Sequence, residues 1–304
     1  MAGPGLSLPL DTDFDPQTGS PVAVAPGVVR VTAPNASAYT FTGTNSFILG
    51  DSRVAVVDPG PEDSKHFEAL RAALAGRKVE AVLLTHTHRD HSALAALFAR
   101  AVDAPLWFEG EHRPSRPPQR FERDWVGDHS DYGLKPDRRL ADGEVIQLDG
   151  LALEVVATPG HCANHICLGI QGRAEMLSGD HVMGWNSTMI AVPDGSMADY
   201  LQSLSKLETL PYRRYLPAHG GEIADGPGFA RLLRLHREMR NKEVVNAVRN
   251  GARSVGDLLR TIYPNLPLKV VPAARMTLKA HVEYLAGLGE LQVRRRGFGL
   301  QLSP

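Results

Sequence analysis

Three histidines and one aspartate stand within six consecutive positions of this chain, as His86, His88, Asp90 and His91. Imidazole nitrogen and carboxylate oxygen are the ligands that borderline divalent ions such as zinc accept in proteins. The alternative is that these are ordinary hydrogen-bonded loop histidines, with Asp90 and Ser92 capping a helix. Four ligand-type side chains in so short a stretch favour a metal site.

The sequence around this motif predicts the elements that position it. Residues 79–84 form an apolar run of strand length, and residues 92–98 continue with good helix formers, so the histidines fall on a strand-to-helix loop. Upstream, short strands are expected at 28–31, 46–49 and 54–57, followed by a helix over 62–74 with acidic residues in its first turn. No periodic pattern is present in residues 1–27.

The HxHxDH motif resembles that of the metallo-β-lactamase superfamily, and three further segments match the family in order. They are Thr158-Pro159-Gly160-His161, Ser178-Gly179-Asp180 and Pro217-Ala218-His219-Gly220, where Ala218 replaces the usual glycine. The resemblance implies an αββα sandwich with the metal site at one edge, between two sheets. It also implies the ligand sets: His86, His88 and His161 for one ion, Asp90, His91 and His219 for the second, and Asp180 bridging both.

The implied chemistry is that of a hydrolase with two divalent metal ions, and zinc is the expected metal. Two cations close together hold a shared water as hydroxide at neutral pH and stabilise the charge that develops on the substrate. We expect Asp90 and Asp180 to act in catalysis, with Asp90 orienting the attacking hydroxide and handling its proton.

Several residues next to the predicted ligands are candidates for supporting roles. Asp58 resembles the family's aspartate that braces the metal-binding loop, although a plain turn aspartate is the alternative. His165 matches a supporting histidine of the family. Asn45 either faces the pocket or caps a turn. His181 is expected to point away from the pocket, because side chains alternate along a strand. Trp185 either contacts substrate or lies buried under its loop.

Composition bounds the class of protein. The chain has 304 residues, of which 43% are hydrophobic and 22% charged, which suits one large domain with a smaller one. No apolar run approaches the length of a membrane span, and the first residues lack a secretory pattern, so a cytoplasmic protein without membrane contact is expected. Cys162 and Cys167 are predicted to be small buried residues, with a redox-sensitive Cys162 as the alternative.

Charge divides the chain into two predicted domains. Residues 229–304 hold 14 Lys and Arg against 5 Asp and Glu, a balance of +9, whereas residues 1–228 hold 19 against 29, a balance of −10. We therefore predict a catalytic domain over 1–228 and a basic C-terminal domain over 229–304. Such asymmetry hints at a polyanionic partner.

The C-terminal region resembles a winged-helix module. Helices are expected over 229–249, 254–262 and 273–288, followed by a hairpin over 291–300 that carries Arg294, Arg295 and Arg296. A Pro- and Arg-rich insertion over 110–139 is a candidate rim of the binding site. Its arginines are either rim residues or an ordinary solvated basic loop, and they comprise Arg113, Arg116, Arg120 and Arg123.

Two substrate classes fit this combination. Gly43-Thr44-Asn45 resembles a segment of one superfamily branch, that of β-lactamase-like protein 2, an endoribonuclease. Together with the basic C-terminal segment, this resemblance favours single-stranded RNA as the substrate. The alternative is a small-molecule thioester, ester or lactone, as in glyoxalase-II-like enzymes and polyketide thioesterases. A nucleic-acid-binding regulator with vestigial activity is less favoured, because all seven ligand-type residues are present. The sequence leaves a homodimer open.

Overall fold

A computed structural model describes residues 7–120, 122, 124–297 and 299–304, without the Arg296 side chain. Within these residues, two sheets and a terminal hairpin are formed. The first sheet runs in chain order from its first to its seventh strand, antiparallel up to the fourth and parallel beyond it. Its strands are β1 (Pro21–Ala25), β2 (Val28–Thr32), β3 (Asn45–Leu49), β4 (Arg53–Val57), β5 (Lys78–Leu83), β6 (Leu106–Phe108) and β7 (Arg138–Arg139).

Strand β1 (Pro21–Ala25) lies within residues 1–27, where the sequence shows no periodic pattern and no strand was expected. The strand pairs with β2 at the edge of the sheet. An edge strand tolerates a proline at its first position, because the missing N–H faces away from the ladder. Five residues that begin with proline give too short a pattern to be recognised from sequence.

The second sheet has the order β12-β11-β10-β9-β8, with β11 and β12 parallel and the other pairs antiparallel. Gly179, the last residue of β11, has φ of 51°, and a Cβ there would lie 2.5 Å from His165 Nε2. Only glycine fits this turn. The strands are β8 (Val145–Leu148), β9 (Leu151–Ala157), β10 (Ile166–Ile170), β11 (Glu175–Gly179) and β12 (Arg214–Pro217).

The first helix begins at Ser64, two residues later than expected, because the Asp63 side chain accepts the backbone N–H of His66 and caps it. Glu62 therefore lies outside the helix, and the first turn has no acidic residue. The helices are α1 (Ser64–Leu74), α2 (Arg89–Ser92), α3 (Ala95–Ala101), α4 (Met197–Leu207), α5 (Gly226–Arg249), α6 (Val255–Ile262) and α7 (Val271–Gly287), and the hairpin is β13 (Gln292–Arg296) and β14 (Gly299–Ser303).

Alternating side chains divide the molecule into layers. On β3, Phe47 and Leu49 point into the core between the sheets, together with Leu168 of β10, whereas Ile48 points outwards. The outward face of the first sheet packs on α1 and α3 through Leu70 and Phe98. The second sheet packs on α4 and α5 through side chains that include Tyr200 and Leu233. These four layers confirm the expected αββα sandwich.

Helix α5 belongs to two cores. Phe229 and Leu233 near its start pack against the second sheet, whereas Val244 and Val248 near its end pack with α6, α7 and Leu302 of the terminal hairpin. The domain boundary at 228/229 remains a prediction, and the cluster of α6, α7 and the hairpin is called the terminal module below. Its likeness to a winged helix also remains a prediction.

The two sheets are tied together at one edge by backbone hydrogen bonds. The amide of Ile166 in β10 donates to the carbonyl of Thr85 after β5, at 2.8 Å, and the amide of Asn45 in β3 donates to the carbonyl of Ala218 after β12, at 2.7 Å. Both bonds fix loops that carry predicted metal ligands. No helix in the described residues has the length and apolar character needed to span a membrane.

Candidate metal centre and its cavity

The predicted ligands converge at the edge where these two bonds lie. His86 and His88 follow β5, His161 follows β9, Asp180 follows β11, and His219 follows β12. Because each stands just beyond the end of a strand, the two sheets hold loops from both halves of the sequence against one another. Three groups of ligand atoms result, each within 4.8 Å, and they are His86 with His88 and His161, His86 with His91 and Asp180, and Asp90 with His91 and His219.

The first group consists of three buried imidazoles. His88 Nδ1 lies 3.1 Å from His86 Nε2 and 2.9 Å from His161 Nε2. Nitrogen atoms this close, with no carboxylate among them, form the imidazole face that a single divalent ion would occupy. The arrangement brings together the three residues that the family resemblance assigned to one ion.

Asp180 reaches both groups with different oxygen atoms. Its Oδ2 lies 3.6 Å from His161 Nε2, whereas its Oδ1 lies 3.5 Å from His91 Nε2 and 3.3 Å from His219 Nε2. Asp90 Oδ2 lies 3.3 Å from His219 Nε2 and 3.5 Å from His91 Nε2. One carboxylate thus spans the two ligand groups, which is the geometry expected of a bridging aspartate.

The hydrogen bonds around the first group determine which ring nitrogen faces the centre. Asp194 can only accept, so His88 Nε2 donates to it at 2.9 Å and leaves the Nδ1 lone pair facing inwards. His161 Nδ1 donates to the Met189 carbonyl at 2.9 Å. Thr85 gives its hydroxyl proton to Asp58 at 2.6 Å, so it accepts from His86 Nδ1 at 3.1 Å. Each imidazole therefore presents a lone pair to the centre.

The second group is oriented in the same way. His91 Nδ1 donates to Asp58 Oδ2 at 3.1 Å, and His219 Nδ1 donates to the Gly43 carbonyl at 3.1 Å, so both Nε2 atoms point inwards. Asp58 Oδ1 also accepts the backbone N–H of Thr85 at 2.7 Å. It thus contacts the loop of one ligand group and a histidine of the other, in the bracing position that the sequence suggested.

His165 and Asn45 contact the segments that carry Asp180 and His219. The backbone N–H of Asp180 donates to His165 Nε2 at 3.1 Å, so His165 carries its proton on Nδ1 and donates to Thr158 Oγ1 at 2.8 Å. Asn45 does not line the main cavity. Its amide nitrogen donates to the carbonyls of Pro217 at 3.0 Å and Gly220 at 2.9 Å, and so holds the loop that carries His219.

Sequence reasoning missed Asp194, the buried residue that orients His88. Its Oδ1 lies 3.0 Å from His112 Nε2, and His112 Nδ1 lies 2.9 Å from Thr87 Oγ1. Asn164 donates to the same hydroxyl at 2.7 Å. A histidine ligand is usually held by such a carboxylate. No local signal marks Asp194, because its partner lies 106 residues away in the chain.

The donor set fits divalent metal ions. Among the described residues, the inward atoms His91 Nε2, His219 Nε2 and Asp180 Oδ1 are buried and find no partner in hydrogen-bonding geometry. Burial opposes a positive charge on His219, yet Asp180 and Asp90 raise its pKa to about 9. Burial likewise disfavours the ionised Asp180, but His219 and His91 hold its pKa well below the usual range. Divalent cations would satisfy these atoms in place of protons.

A cavity of about 680 Å³ is lined both by residues of the centre and by residues of the terminal module. His88, Asp90, His161 and Asp180 are the ligand residues among them. Most of the other lining side chains are aromatic or aliphatic. They come from the loops at 37–40, 125–129 and 183–189 and from the terminal module, and they include Tyr39, Trp125, Val126, Met183, Trp185, Met189, Tyr263, Leu266, Val270, Pro272, Ala273, Ala274 and Met276.

The insertion contributes to this cavity, but through other residues than expected. Trp125, Val126 and His129 line it. Arg113 instead pairs with Glu109, and Arg116 pairs with Glu122 and Glu283. Arg120 interacts with another group and is not among the lining residues. Arg123 lies outside the described residues. The arginine rim is therefore not observed for Arg113, Arg116 and Arg120.

The remaining candidates are accounted for as follows. Trp185 is half-buried, lines the cavity, and stacks on Phe41 with ring centroids 4.9 Å apart. His181 is buried beside the Tyr200 ring and is not among the lining residues.

Burial raises the pKa of the Cys162 thiol well above its usual value and that of Cys167 to about 12. Both cysteines thus behave as small buried residues.

A sequence profile described as Metallo-beta-lactamase superfamily matches residues 39–219. The chain therefore belongs to this superfamily and is a metal-dependent hydrolase of its fold. It is similar to a Beta-lactamase-like protein 2 homolog of Caenorhabditis elegans, with 27% identity over 87% of this chain and 86% of the relative. It is also similar to an Atrochrysone carboxyl ACP thioesterase of Aspergillus fumigatus, with 27% identity over 81% of this chain and 76% of the relative.

Solved structures of the same fold extend over nearly the whole chain. A Beta-lactamase domain protein from Burkholderia ambifaria superposes with a TM-score of 0.79 and 24% identity, covering 96% of this chain and 95% of its own. A metallo-beta-lactamase family protein from Thermus thermophilus gives a TM-score of 0.76 and 24% identity, covering 92% of this chain and 99% of its own. At this level of identity the likeness shows the fold alone.

Proposed function

We propose that this protein hydrolyses a thioester or ester whose acyl group is largely apolar, using two divalent metal ions, for which zinc is the expected metal. The cavity carries this proposal, because four of the ligand residues line a space whose other walls are mostly aromatic and aliphatic. Burial of an apolar acyl chain against such walls would supply binding free energy of about 0.8 kcal/mol per methylene.

The division of roles follows from the geometry. One ion would be held by His86, His88 and His161, and the other by Asp90, His91 and His219. Asp180 would contact both ions. When bound, the two ions supply Lewis-acid polarisation of a carbonyl and a water of lowered pKa. Asp90 is the most exposed of the ligand carboxylates, with 29% of its side chain accessible, and it lines the cavity. It therefore lies where it can orient the attacking water and receive its proton.

Charge on the walls supports an acyl substrate over a nucleic acid. In the part of the chain that the structure describes, two Arg or Lys side chains line the cavity, Arg89 and Arg237. A groove for single-stranded nucleic acid combines aromatic side chains with cations along the whole strand. The relative named as an ACP thioesterase acts on an acyl thioester by its name, and this similarity adds support.

Thiol release from a set of acyl thioesters of N-acetylcysteamine tests the proposal directly. The set would contain short, medium and long alkyl chains and an aromatic acyl group, and each would be incubated with the zinc-loaded protein. We expect hydrolysis that requires the metal and becomes more efficient as the acyl group grows. Asp180→Asn, prepared in the same way, controls for contaminating hydrolases. Hydrolysis that is unaffected by this substitution would refute the proposal.

Single-stranded RNA is the second candidate. Its support is the similarity to the Beta-lactamase-like protein 2 homolog, together with the aromatic side chains Tyr39, Trp125 and Tyr263, which offer faces for stacking of bases. The same preparations would be incubated with a labelled single-stranded RNA. Cleavage of RNA that depends on Asp180 and exceeds the thioester rates would replace the acyl proposal with this one.

A further inference from the structure

The cavity contains a buried cation that the proposed reaction does not use. Arg237 lies on α5, lines the cavity, and is 2% exposed. An arginine side chain is always charged and has five N–H donors. Its Nη2 donates to the carbonyl of Thr188, whereas its Nε is buried and has no acceptor among the described residues.

No carboxylate balances this charge. Among the described residues, no Asp or Glu lies within ion-pair distance of the Arg237 guanidinium, although neighbouring arginines of the same helix are paired, Arg234 with Glu208 and Arg240 with Glu243. The guanidinium lies over the Tyr200 ring, 5.6 Å from its centroid. Burial raises the pKa of Tyr200 against the opposing effect of Arg237, so the phenol stays neutral and supplies no counter-charge.

A buried charge without a counter-charge is unfavourable, so a bound anion would stabilise the Arg237 guanidinium. The position of Arg237 suits anion binding. It contacts Thr188, whose hydroxyl donates to the backbone carbonyl of Asp180 at 2.7 Å, so one residue separates it from the segment that carries the predicted bridging aspartate. Thr277 of α7 also lines the cavity, and its hydroxyl accepts the backbone N–H of Ile190 at 3.4 Å.

We propose that Arg237 is an anion-binding subsite of the cavity and that the preferred substrate carries a carboxylate on its acyl group, away from the bond that is cut. The inference rests on the proposed acyl hydrolysis and narrows its substrate class to mono-thioesters or mono-esters of diacids. The metal centre binds the scissile carbonyl, Arg237 pairs with the second carboxylate beside the Thr188 carbonyl, and apolar walls contact the chain between these two groups.

A purely structural role for Arg237 is the competing explanation. In that case the guanidinium only fixes the Thr188 carbonyl, and its loss would lower turnover of every substrate by the same factor. An anion subsite predicts a selective effect, because a neutral substrate gains nothing from the guanidinium. Comparison of matched charged and neutral substrates separates the two explanations.

The experiment uses diacids of increasing length, each as its mono-thioester of N-acetylcysteamine, beside the same thioester with the far carboxyl methylated. With zinc-loaded wild type we expect at least one length at which kcat/KM for the acid exceeds that for the methyl ester by about tenfold, as for a charge-assisted hydrogen bond. Arg237→Gln should remove this preference, so that the acid and the methyl ester are used with equal kcat/KM. Arg237→Lys should restore part of the preference. Arg231→Gln, an exposed position of the same helix, is the matched control.

Two results would overturn the subsite. One is equal use of acid and methyl ester at every length by the wild type, and the other is a preference that survives in Arg237→Gln. If no thioester is hydrolysed, calorimetry with the free diacids and their monomethyl esters decides. If the diacid binds more tightly than its monomethyl ester and this difference depends on Arg237, the subsite is supported although the proposed reaction is refuted. If binding does not depend on Arg237, the subsite is refuted as well.

Discussion

The two ends of the cavity are built in different ways. At the metal centre, every ligand stands just beyond a strand or at the start of a short helix, within a motif that is continuous in sequence. The far end, as the term is used below, consists of the side chains that the terminal module contributes to the cavity, namely Tyr263, Leu266 and Val270 with those of α7. The near end is thus specified by local sequence, whereas the far end depends on how distant elements pack.

This contrast suggests that chemistry and substrate choice are carried by different parts of the chain. Changes at the near end should act on metal binding and on turnover of all substrates alike. Changes at the far end should act on the affinity for particular acyl groups and leave the metals in place. The following experiments test this separation, beginning with the largest expected effect.

Removal of the metal ions should abolish hydrolysis and leave the far end able to bind. We expect two ions per chain in the zinc-loaded protein, measured by elemental analysis, and complete loss of thiol release after chelation. A hydrophobic fluorescent probe should still bind to the chelated protein, because the apolar wall needs no ion. A metal content that stays at one ion per chain after reconstitution would contradict the dinuclear assignment.

Asp180→Asn should lower kcat/KM by about a thousandfold or more, equivalent to about 4 kcal/mol of transition-state stabilisation. The substitution removes the negative charge that faces both ligand groups, so the metal content should fall as well. His181→Ala is the neighbouring control, because His181 does not line the cavity. A larger loss of turnover per bound metal in His181→Ala than in Asp180→Asn would show that the roles of these two residues are misassigned.

Asp194→Ala should weaken metal binding about 10- to 100-fold at the site that contains His88, since it removes the acceptor that fixes this imidazole. Competition with a chromophoric chelator measures the affinity, and the visible spectrum of the cobalt-substituted protein reports the altered ligand geometry. Asp194→Asn retains an acceptor oxygen and should recover part of the affinity. An unchanged cobalt spectrum in Asp194→Ala would exclude an orienting role.

Ala273→Trp should fill part of the far end and select against long acyl groups. If the indole keeps two methylenes of the acyl chain from contacting the wall, the loss of binding free energy is about 1.6 kcal/mol. This corresponds to a loss of about tenfold in kcat/KM, for long chains only. Metal content and turnover of an acetyl thioester should not change. Arg275→Trp places the same ring at an exposed neighbouring position and serves as the control. Equal effects on acetyl and long-chain thioesters would contradict the proposal that the far end determines substrate choice and not the chemistry.

Replacement of Arg294 and Arg295 by alanine should have the smallest effect on acyl hydrolysis, within about twofold, since neither residue lines the cavity. Arg295 is engaged with Glu122 and Gln119. If RNA is a substrate, each lost phosphate contact would reduce the slope of log affinity against log salt by about 0.7. Titration of single-stranded RNA at several salt concentrations provides this slope, and a reduced slope would favour the RNA alternative.

The structure brings the seven predicted ligand residues close together, and the sequence could name them because they stand in short motifs that resemble those of the superfamily. The sequence left Asn45 open between a pocket residue and a turn cap, and the structure shows why. The side chain acts on the loop of His219, with hydrogen-bond partners 172 and 175 residues away. No local pattern distinguishes such a contact from a simple turn.

The other side chains of the cavity wall were hidden for a related reason. In the sequence, Arg237 stands among the charged residues of a long helix, and arginines in such helices are ordinarily solvated. Only the packing of α5 against α4 and α7 buries it. Trp125 and His129 likewise stand in a segment without periodicity, where the arginines were the more conspicuous side chains. Residues whose roles depend on tertiary burial therefore escaped detection.

Helix α5 places a strict limit on insertions and deletions. It is one uninterrupted helix of 24 residues, anchored on the second sheet by Leu233 and in the terminal module by Val244. One residue added between these anchors would turn everything beyond it by about 100° and shift it by about 1.5 Å. Tyr263 and Met276 would then rotate away from the metals. Length variation among descendants of this gene should therefore be confined to the loops and absent from this helical register.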